Sequence, residues 1–422
     1  MSFRAADVYA TLQTESATGR RCRPANHPDT ASDWEHTVRP LVSVVIATYN
    51  RANLLEEALA SIYAQEGQGD PFDLEVIVVD DASSDATDAV VGRYPAIYTK
   101  HDVNRGVAAA LNTGIGASRG AYVGFLGDDD LWLPGKLRMQ VPALEAHPDV
   151  GLVYGSHTLV GRGAVEEWTI GPSGQVFERL LMGNFVSIIT AVARRSALME
   201  VGGFDPTMSG LEDYDLCLRL AYHVRFHFVP GPVAVYRPSP QGLFATTVAT
   251  GASRELHRRA IMRALGLAPN LSPETIRHVI DQMELTNATY LARLPSRIAL
   301  PQMLAQLGEY PRAARNTEIC DRIAWKAREE SVASADPLRA AAAVCKSIEL
   351  AAGDARGARR LISAVWAEVA VGLLRKRCVG TGLRAAREAL RYDFPGLVRR
   401  GFVPLGRALR PRANGRAVGG LE

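Results

Sequence analysis

Long apolar runs are missing from this sequence. Its nearest approach is Leu361 to Leu374, which Glu368 interrupts, and a run of about 18 uncharged residues would be needed to cross a bilayer, so no spanning helix is expected. The N-terminus carries Arg20, Arg21 and Arg23 but lacks the apolar middle region of a secretory signal, and the product is expected to stay in the cytoplasm. Cysteine is scarce. Cys22, Cys217, Cys320, Cys345 and Cys378 are odd in number, widely separated and in no CxxC spacing, which argues against a disulfide framework or a zinc site and leaves reduced thiols. No Walker A sequence occurs. Gly114-Ile115-Gly116 with Gly120 fails as a dinucleotide fingerprint, because the glycines do not directly follow a strand and the last stands one residue too far. Net charge is also small, +3 over 422 residues, but it is uneven: Ala341 to Glu422 holds 16 Lys or Arg against 6 Asp or Glu.

What remains is a globular composition, 47% apolar and 22% charged, in a chain long enough for about two or three domains. Residues 1–39 are polar and without periodicity, an extension with at most a short helix near Ala5 to Gln13. Residues 40–250 alternate. Leu41 to Ala47 is a β-branched run of buried-strand character, and Asn53 with Glu56 resembles a capping box opening a helix that carries Leu55, Ala58, Leu59 and Ile62. Leu74 to Val79 is a second strand ending at Asp80-Asp81, Ile97 to Lys100 a short third, Gly106 to Ser118 a helix of small residues and Tyr122 to Leu126 a fourth strand. Val150 to Tyr154 and Ile188 to Ala193 read as further strands. Strands and helices at this spacing predict βαβ units and a crevice at the carboxyl edge of a parallel sheet.

Three acidic groups fall where that crevice would be. Asp80-Asp81 ends the second strand, Asp128-Asp129-Asp130 ends the fourth, and Glu212-Asp213 opens an amphipathic helix carrying Tyr214, Leu218 and Ala221 on one face. Adjacent carboxylates raise one another's pKa, so a triplet directly after a buried strand needs a cation or a solvated edge; oxygen ligands of this kind suit Mg²⁺ or Mn²⁺. A solvated acidic turn has the same composition as the triplet. Ser209 with Glu212 would equally satisfy a capping box, and Asp213 with Asp215 would complement a helix dipole.

The ordered set is more specific than any member. Val42 to Arg51 (VSVVIATYNR), Val78 to Ser83, Asn104-Arg105-Gly106 with Asn112, Phe125 to Pro134 and Glu212-Asp213 together resemble a family 2 glycosyltransferase of the GT-A fold, over about residues 40 to 240. The resemblance implies an α/β nucleotide-sugar-binding fold, a Rossmann-like mixed sheet with flanking helices. It implies an enzyme of polysaccharide or glycoconjugate biosynthesis that moves a sugar from a nucleoside-diphosphate donor, UDP or dTDP favoured, to a hydroxyl of a carbohydrate or lipid-linked acceptor with inversion. Residue by residue, Thr48, Tyr49, Asn50 and Arg51 would pack on the nucleotide, with Asn104, Gly106 and Asn112 beside it; Asp81 would accept from the pyrimidine N3–H; and Asp213 would be the general base, kept ionised by the helix N-terminus beneath it. Asp129 would bind the divalent cation, and Asp128 would contact the nucleotide or share the metal. Three departures stand out: Gly127 replaces the first Asp of the usual Phe-Leu-Asp-x-Asp-Asp pattern, Ala47 replaces a common proline, and Tyr236-Arg237-Pro238-Ser239-Pro240 lacks a following His, leaving no third metal ligand. A catalytically silent nucleotide-sugar-binding or scaffold protein of the same fold is the alternative.

Residues 251–422 turn to Ala- and Arg-rich helical candidates: Pro273 to Tyr290, Pro301 to Leu307, Thr317 to Ser331, Pro337 to Leu350, Ala355 to Leu374 and Gly382 to Leu390. They predict an α-helical, basic C-terminal module. Leu373-Leu374-Arg375-Lys376-Arg377 and the arginines from Arg384 to Arg412, interleaved with Phe394, Leu397, Val398, Phe402 and Leu405, suggest peripheral contact with an anionic membrane on its inner face; no nucleic-acid partner is expected.

Overall fold

The computed structural model describes residues 39–391 apart from short segments within that range, 305–316 being the longest; residues 1–38 and 392–422 lie outside it. The polar extension, the apolar-basic stretch from Phe394 to Arg412 and most of the helix expected over Pro301 to Leu307 are thus outside the described residues. The described residues from Arg39 onward belong to one compact unit.

The β-branched runs make a stack of parallel strands. In each of β1 (Leu41–Thr48) and β2 (Asp73–Asp80) six of the eight residues are buried, as expected of a strand covered on both faces. With β3 (Ile97–Lys100), β4 (Tyr122–Gly127), β5 (Leu131–Trp132), β6 (Val150–Gly161), β7 (Ala164–Glu167), β8 (Val192–Arg194) and β9 (Arg225–Tyr236) they form one mixed sheet in the order β3-β2-β1-β4-β8-β6-β9-β5, β7 pairing with β6. The chain steps outward from β1 to β2 and β3, then returns to the other side of β1 as β4, and at such a reversal a ligand crevice opens at the carboxyl ends. Register brings those ends level: Thr48 lies opposite Asp80, and Ala47 opposite Gly127. Alternate side chains fill the two faces. Val45, Ile77, Val79, Val123 and Phe125 belong to one apolar layer, and Val44, Ile46, Val76, Val78 and Leu126 to the other.

Around this sheet run α1 (Ala52–Tyr63), α2 (Thr87–Val91), α3 (Val107–Ala117), α4 (Lys136–Ala146), α5 (Phe177–Leu181), α6 (Arg195–Glu200) and α7 (Glu212–His223). The box expected from Asn53 and Glu56 does not form. Instead α1 starts at Ala52, whose N–H donates to Asp85 Oδ2 at 2.9 Å, so its cap comes from the loop after β2. The strand expected over Ile188 to Ala193 is also shortened, to a 3₁₀ turn at Ile188–Thr190 followed by β8. There the Thr190 carbonyl is taken by Lys136 Nζ at 2.9 Å and Gln140 Nε2 at 2.7 Å, which turns it toward α4 and away from a ladder.

Beyond the last strand, α8 (Leu243–Thr250), α9 (Ala252–Leu267) and α10 (Pro273–Ala292) stay close to the sheet: Ala260, Ile261, Ala264, Val279 and Met283 join one of its apolar layers. A separate apolar cluster, with Ile323, Ala327, Ile348, Leu361, Val365 and Val369, holds α11 (Thr317–Ala333), α12 (Pro337–Ala351) and α13 (Ala355–Arg375) together. Among the described residues no helix is long and apolar enough to cross a membrane.

Candidate active site

At the end of β2 the two aspartates part company. Asp80 is fully buried and structural: its carboxylate accepts from Ser83 N at 2.6 Å and Tyr98 Oη at 2.6 Å, and these bonds, with Lys100 nearby, outweigh burial and hold its pKa down. Asp81 instead faces the loop after β3. Its Oδ1 accepts from His101 Nδ1 at 2.7 Å and Arg105 N at 2.9 Å, and its Oδ2 from Gly106 N at 2.7 Å. Gly106 reaches that carboxylate with φ of 86°, a conformation side-chain-bearing residues rarely adopt. Tyr49 stands beside this site, since Asp81 N donates to Thr48 O at 2.9 Å, and the residue is 47% exposed. Asn50, held at φ 55°, accepts from Ser84 N at 2.8 Å and ties the two strand ends together. Asn104 is exposed on the same loop as Arg105.

The acidic loop folds back on the end of β4. A Cβ on Gly127 would lie 3.0 Å from Asp129 Oδ1 and 3.1 Å from Asp130 Oδ2, so an aspartate at this position would crowd the triplet it precedes. Thr48 Oγ1 donates to Asp128 Oδ2 at 2.8 Å, and Arg51 Nη1 bridges Asp128 Oδ1 at 3.0 Å and Asp129 Oδ2 at 2.8 Å. Burial raises the pKa of Asp128; Arg51 opposes this and the Asp129 charge adds to it. Asp130, to which the sequence assigned no role, is 3% exposed; burial and its acidic neighbours push its pKa well up although Arg237 N donates to its Oδ1 at 2.8 Å. Arg237 also reaches the Asp129 carbonyl through Nε and Glu57 Oε2 through Nη1, at the point where the sequence offered no histidine.

Helix α7 opens without the expected capping box. Leu211 is its N-cap, and Glu212 Oε2 accepts from Gly210 N at 2.5 Å, two residues back. Nor does the helix N-terminus dominate Asp213. Burial raises its pKa, as it does that of Glu212, on which the Asp213 charge acts as well. A base whose pKa is raised toward the working pH is better matched to taking a proton than one held strongly ionised. Burial first, then the charges of Asp130, Asp129 and Asp213, push up the phenol of Tyr236 at the end of β9, so one side chain senses the acidic loop and the start of α7 together.

Thr48, Arg51, Asp128 and Asp129 are thus linked at one end of the sheet, with Tyr49, Asn50, Asp81 and Gly106 beside them. Asn112 is engaged elsewhere: its Nδ2 donates to Phe204 O at 2.7 Å and its Oδ1 accepts from Phe204 N at 2.8 Å, clamping α3 to the turn that precedes α7. His101 was not legible as a site residue, its only sequence signal being its place one residue after a strand. Among the described residues no three His, Cys, Asp or Glu side chains converge as a metal cage. Asp128 and Asp129 nevertheless fit a Mg²⁺ or Mn²⁺ ion of the kind that takes two carboxylates and completes its shell with phosphate and water, because both present oxygen to a single cationic partner, Arg51.

A mixed sheet reversing at β1 and β4, with acidic groups at that reversal, defines an α/β domain of GT-A type. Residues 43–200 match the family model described as glycosyl transferase family 2. It is similar to an uncharacterized glycosyltransferase of Rickettsia bellii, 32% identical over 44% of this chain and 28% of that protein. A second, from Haemophilus influenzae, is 28% identical over 44% of this chain and 64% of its own length, so the alignments span less than two thirds of either relative. The fold is similar to that of S. aureus TarS 1-349, with a TM-score of 0.51 at 16% identity over 80% of this chain and 91% of that one.

Proposed function

We propose that the protein transfers a sugar from a nucleoside-diphosphate donor to an acceptor hydroxyl by direct, inverting displacement. Asp213 takes the proton of the acceptor hydroxyl as its oxygen bonds to the anomeric carbon, and the bond from that carbon to the diphosphate breaks, its electron pair leaving with the nucleotide. Asp128 and Asp129 would hold a divalent cation, which supplies charge neutralisation to the leaving diphosphate. Thr48 orients Asp128, and Arg237 holds the loop through the Asp129 carbonyl and the Asp130 carboxylate. Asp81 is the base contact and Tyr49 the exposed ring against which a base can stack. The observation that carries this reading is the linked set of Thr48, Arg51, Asp128 and Asp129 at the carboxyl edge of the sheet, with Asp81 held by Gly106 beside it.

One observation favours the alternative of a silent nucleotide-sugar-binding protein: Arg51 already serves as cation to both proposed metal ligands. A thermal-shift panel of UDP, dTDP and GDP with and without Mn²⁺ tests the binding reading, since a ligand of the native state raises the melting temperature by mass action. UDP or dTDP should stabilise more than GDP, with Mn²⁺ enhancing the shift; equal shifts insensitive to chelator would oppose it.

A further inference from the structure

We infer that His101, by occupying Asp81, selects a uracil or thymine nucleotide over a guanine nucleotide; this rests on the reading of Asp81 as the base contact. A carboxylate oxygen has two in-plane acceptor positions. Oδ1 of Asp81 uses both, for His101 Nδ1 at 2.7 Å and Arg105 N at 2.9 Å, while Oδ2 uses one, for Gly106 N at 2.7 Å. One acceptor position is left. Uracil and thymine present one donor there, N3–H, between two carbonyls. Guanine presents N1–H and an N2 amino hydrogen side by side, a pair that grips both oxygens of a free carboxylate, and here its second donor meets an oxygen already saturated.

His101 is held in the orientation this requires. It is 8% exposed, and its other ring nitrogen lies 2.9 Å from Thr113 Oγ1, itself 3.0 Å from the Ala109 carbonyl on α3. Because an ionised carboxylate only accepts, the ring proton at Nδ1 points to Asp81. Arg105 and Gly106 contribute backbone donors, so among the described residues His101 is the one side-chain donor to Asp81. Asp81 is itself 3% exposed, which leaves a ligand a narrow approach to the remaining position.

Titration calorimetry with UDP, dTDP and GDP in Mn²⁺ tests the inference. An unmade donor at a buried contact weakens binding by about tenfold or more, so the native protein should bind UDP and dTDP at least about tenfold tighter than GDP. His101→Leu frees an acceptor on Oδ1 and should narrow that ratio to about threefold or less, whereas His101→Asn, whose amide can replace the Nδ1 donor, should keep it. Thr113→Val, a smaller change on the far side of the ring, should narrow the ratio in part and serves if His101→Leu does not fold. An unchanged ratio in Thr113→Val and in folded His101→Leu, or equal or tighter binding of GDP by the native protein, overturns the inference while leaving a nucleotide site in place. Failure of the native protein to bind any of the three overturns it together with the reading it rests on.

Discussion

Thr48 Oγ1 lies 2.8 Å from Asp128 Oδ2, a hydrogen bond between the ends of β1 and β4 that spans 80 residues of sequence. It fixes one oxygen of a buried carboxylate and leaves the other to Arg51. The proposed metal site is therefore organised before any ligand arrives, and its charge is balanced by a side chain that an ion can replace.

Replacing Arg51 should expose that balance. Arg51→Ala leaves Asp128 and Asp129 facing each other without their shared cation, and a half-buried pair broken in this way costs about 1–3 kcal/mol. Chemical denaturation in chelator should show the loss, and millimolar Mn²⁺ should restore part of it. Equal destabilisation with and without Mn²⁺ would mean that the carboxylates do not hold the ion.

Asn112 and the nucleotide can be separated by a single variant. Asn112→Ala removes both bonds to the Phe204 main chain, and the orphaned backbone groups should cost about 1–3 kcal/mol. UDP affinity should change less than about threefold, the additivity expected of a residue that does not touch the ligand. A large loss of affinity at unchanged stability would instead make Asn112 a direct contact.

Acid stability should report the clamp between α9 and the turn before α7. Burial works against ionisation of Asp205, but donors from Thr207 and the Arg263 guanidinium, 2.7 Å away, hold its pKa down to about 2. A folded pKa below the ordinary value near 4 adds stability above that value and loses it as pH falls toward 2. Asp205→Asn should flatten the decline of stability between about pH 4 and pH 2. A decline as steep as that of the native protein would remove Asp205 from the account.

The basic tail yields a separate expectation. Full-length protein should float with anionic vesicles, and high salt or truncation after about Ala370 should release it, because interfacial arginines contribute about 1 kcal/mol each at low ionic strength. Equal flotation with neutral and anionic lipid would leave the tail without an electrostatic membrane role.

Contiguous, largely apolar runs made β1, β2 and β4 readable, since a strand buried on both faces does not alternate apolar with polar residues. β9 was not readable. Pro230-Gly231-Pro232 interrupts it, and the structure accommodates these residues at a register shift, where the partner of Tyr154 is Phe228 and that of Ser156 is Pro232. The acidic groups of the site were visible because charge directly after an apolar strand is conspicuous. Their supports were not: Arg237 N reaches Asp130 across 107 residues, Asp85 caps α1 from a loop 33 residues on, and Glu212 bonds backward to Gly210, contacts that no local pattern encodes. The upward pull of burial on the pKa of Asp213 was hidden for a related reason, since burial is a property of the assembled fold.

Release of nucleoside diphosphate from a panel of UDP- and dTDP-sugars, with a range of acceptor alcohols and Mn²⁺, tests the central claim most directly. The native protein should turn over at least one donor, and Asp213→Asn should lower kcat by about 10²-fold or more while donor affinity stays nearly unchanged, as expected when a general base is lost. The native rate should fall on the acid side at a pH above the ordinary aspartate range, because burial raises the pKa of Asp213. An Asp213→Asn protein that melts earlier but turns over normally, or a native protein that binds UDP yet consumes no donor, would contradict the account.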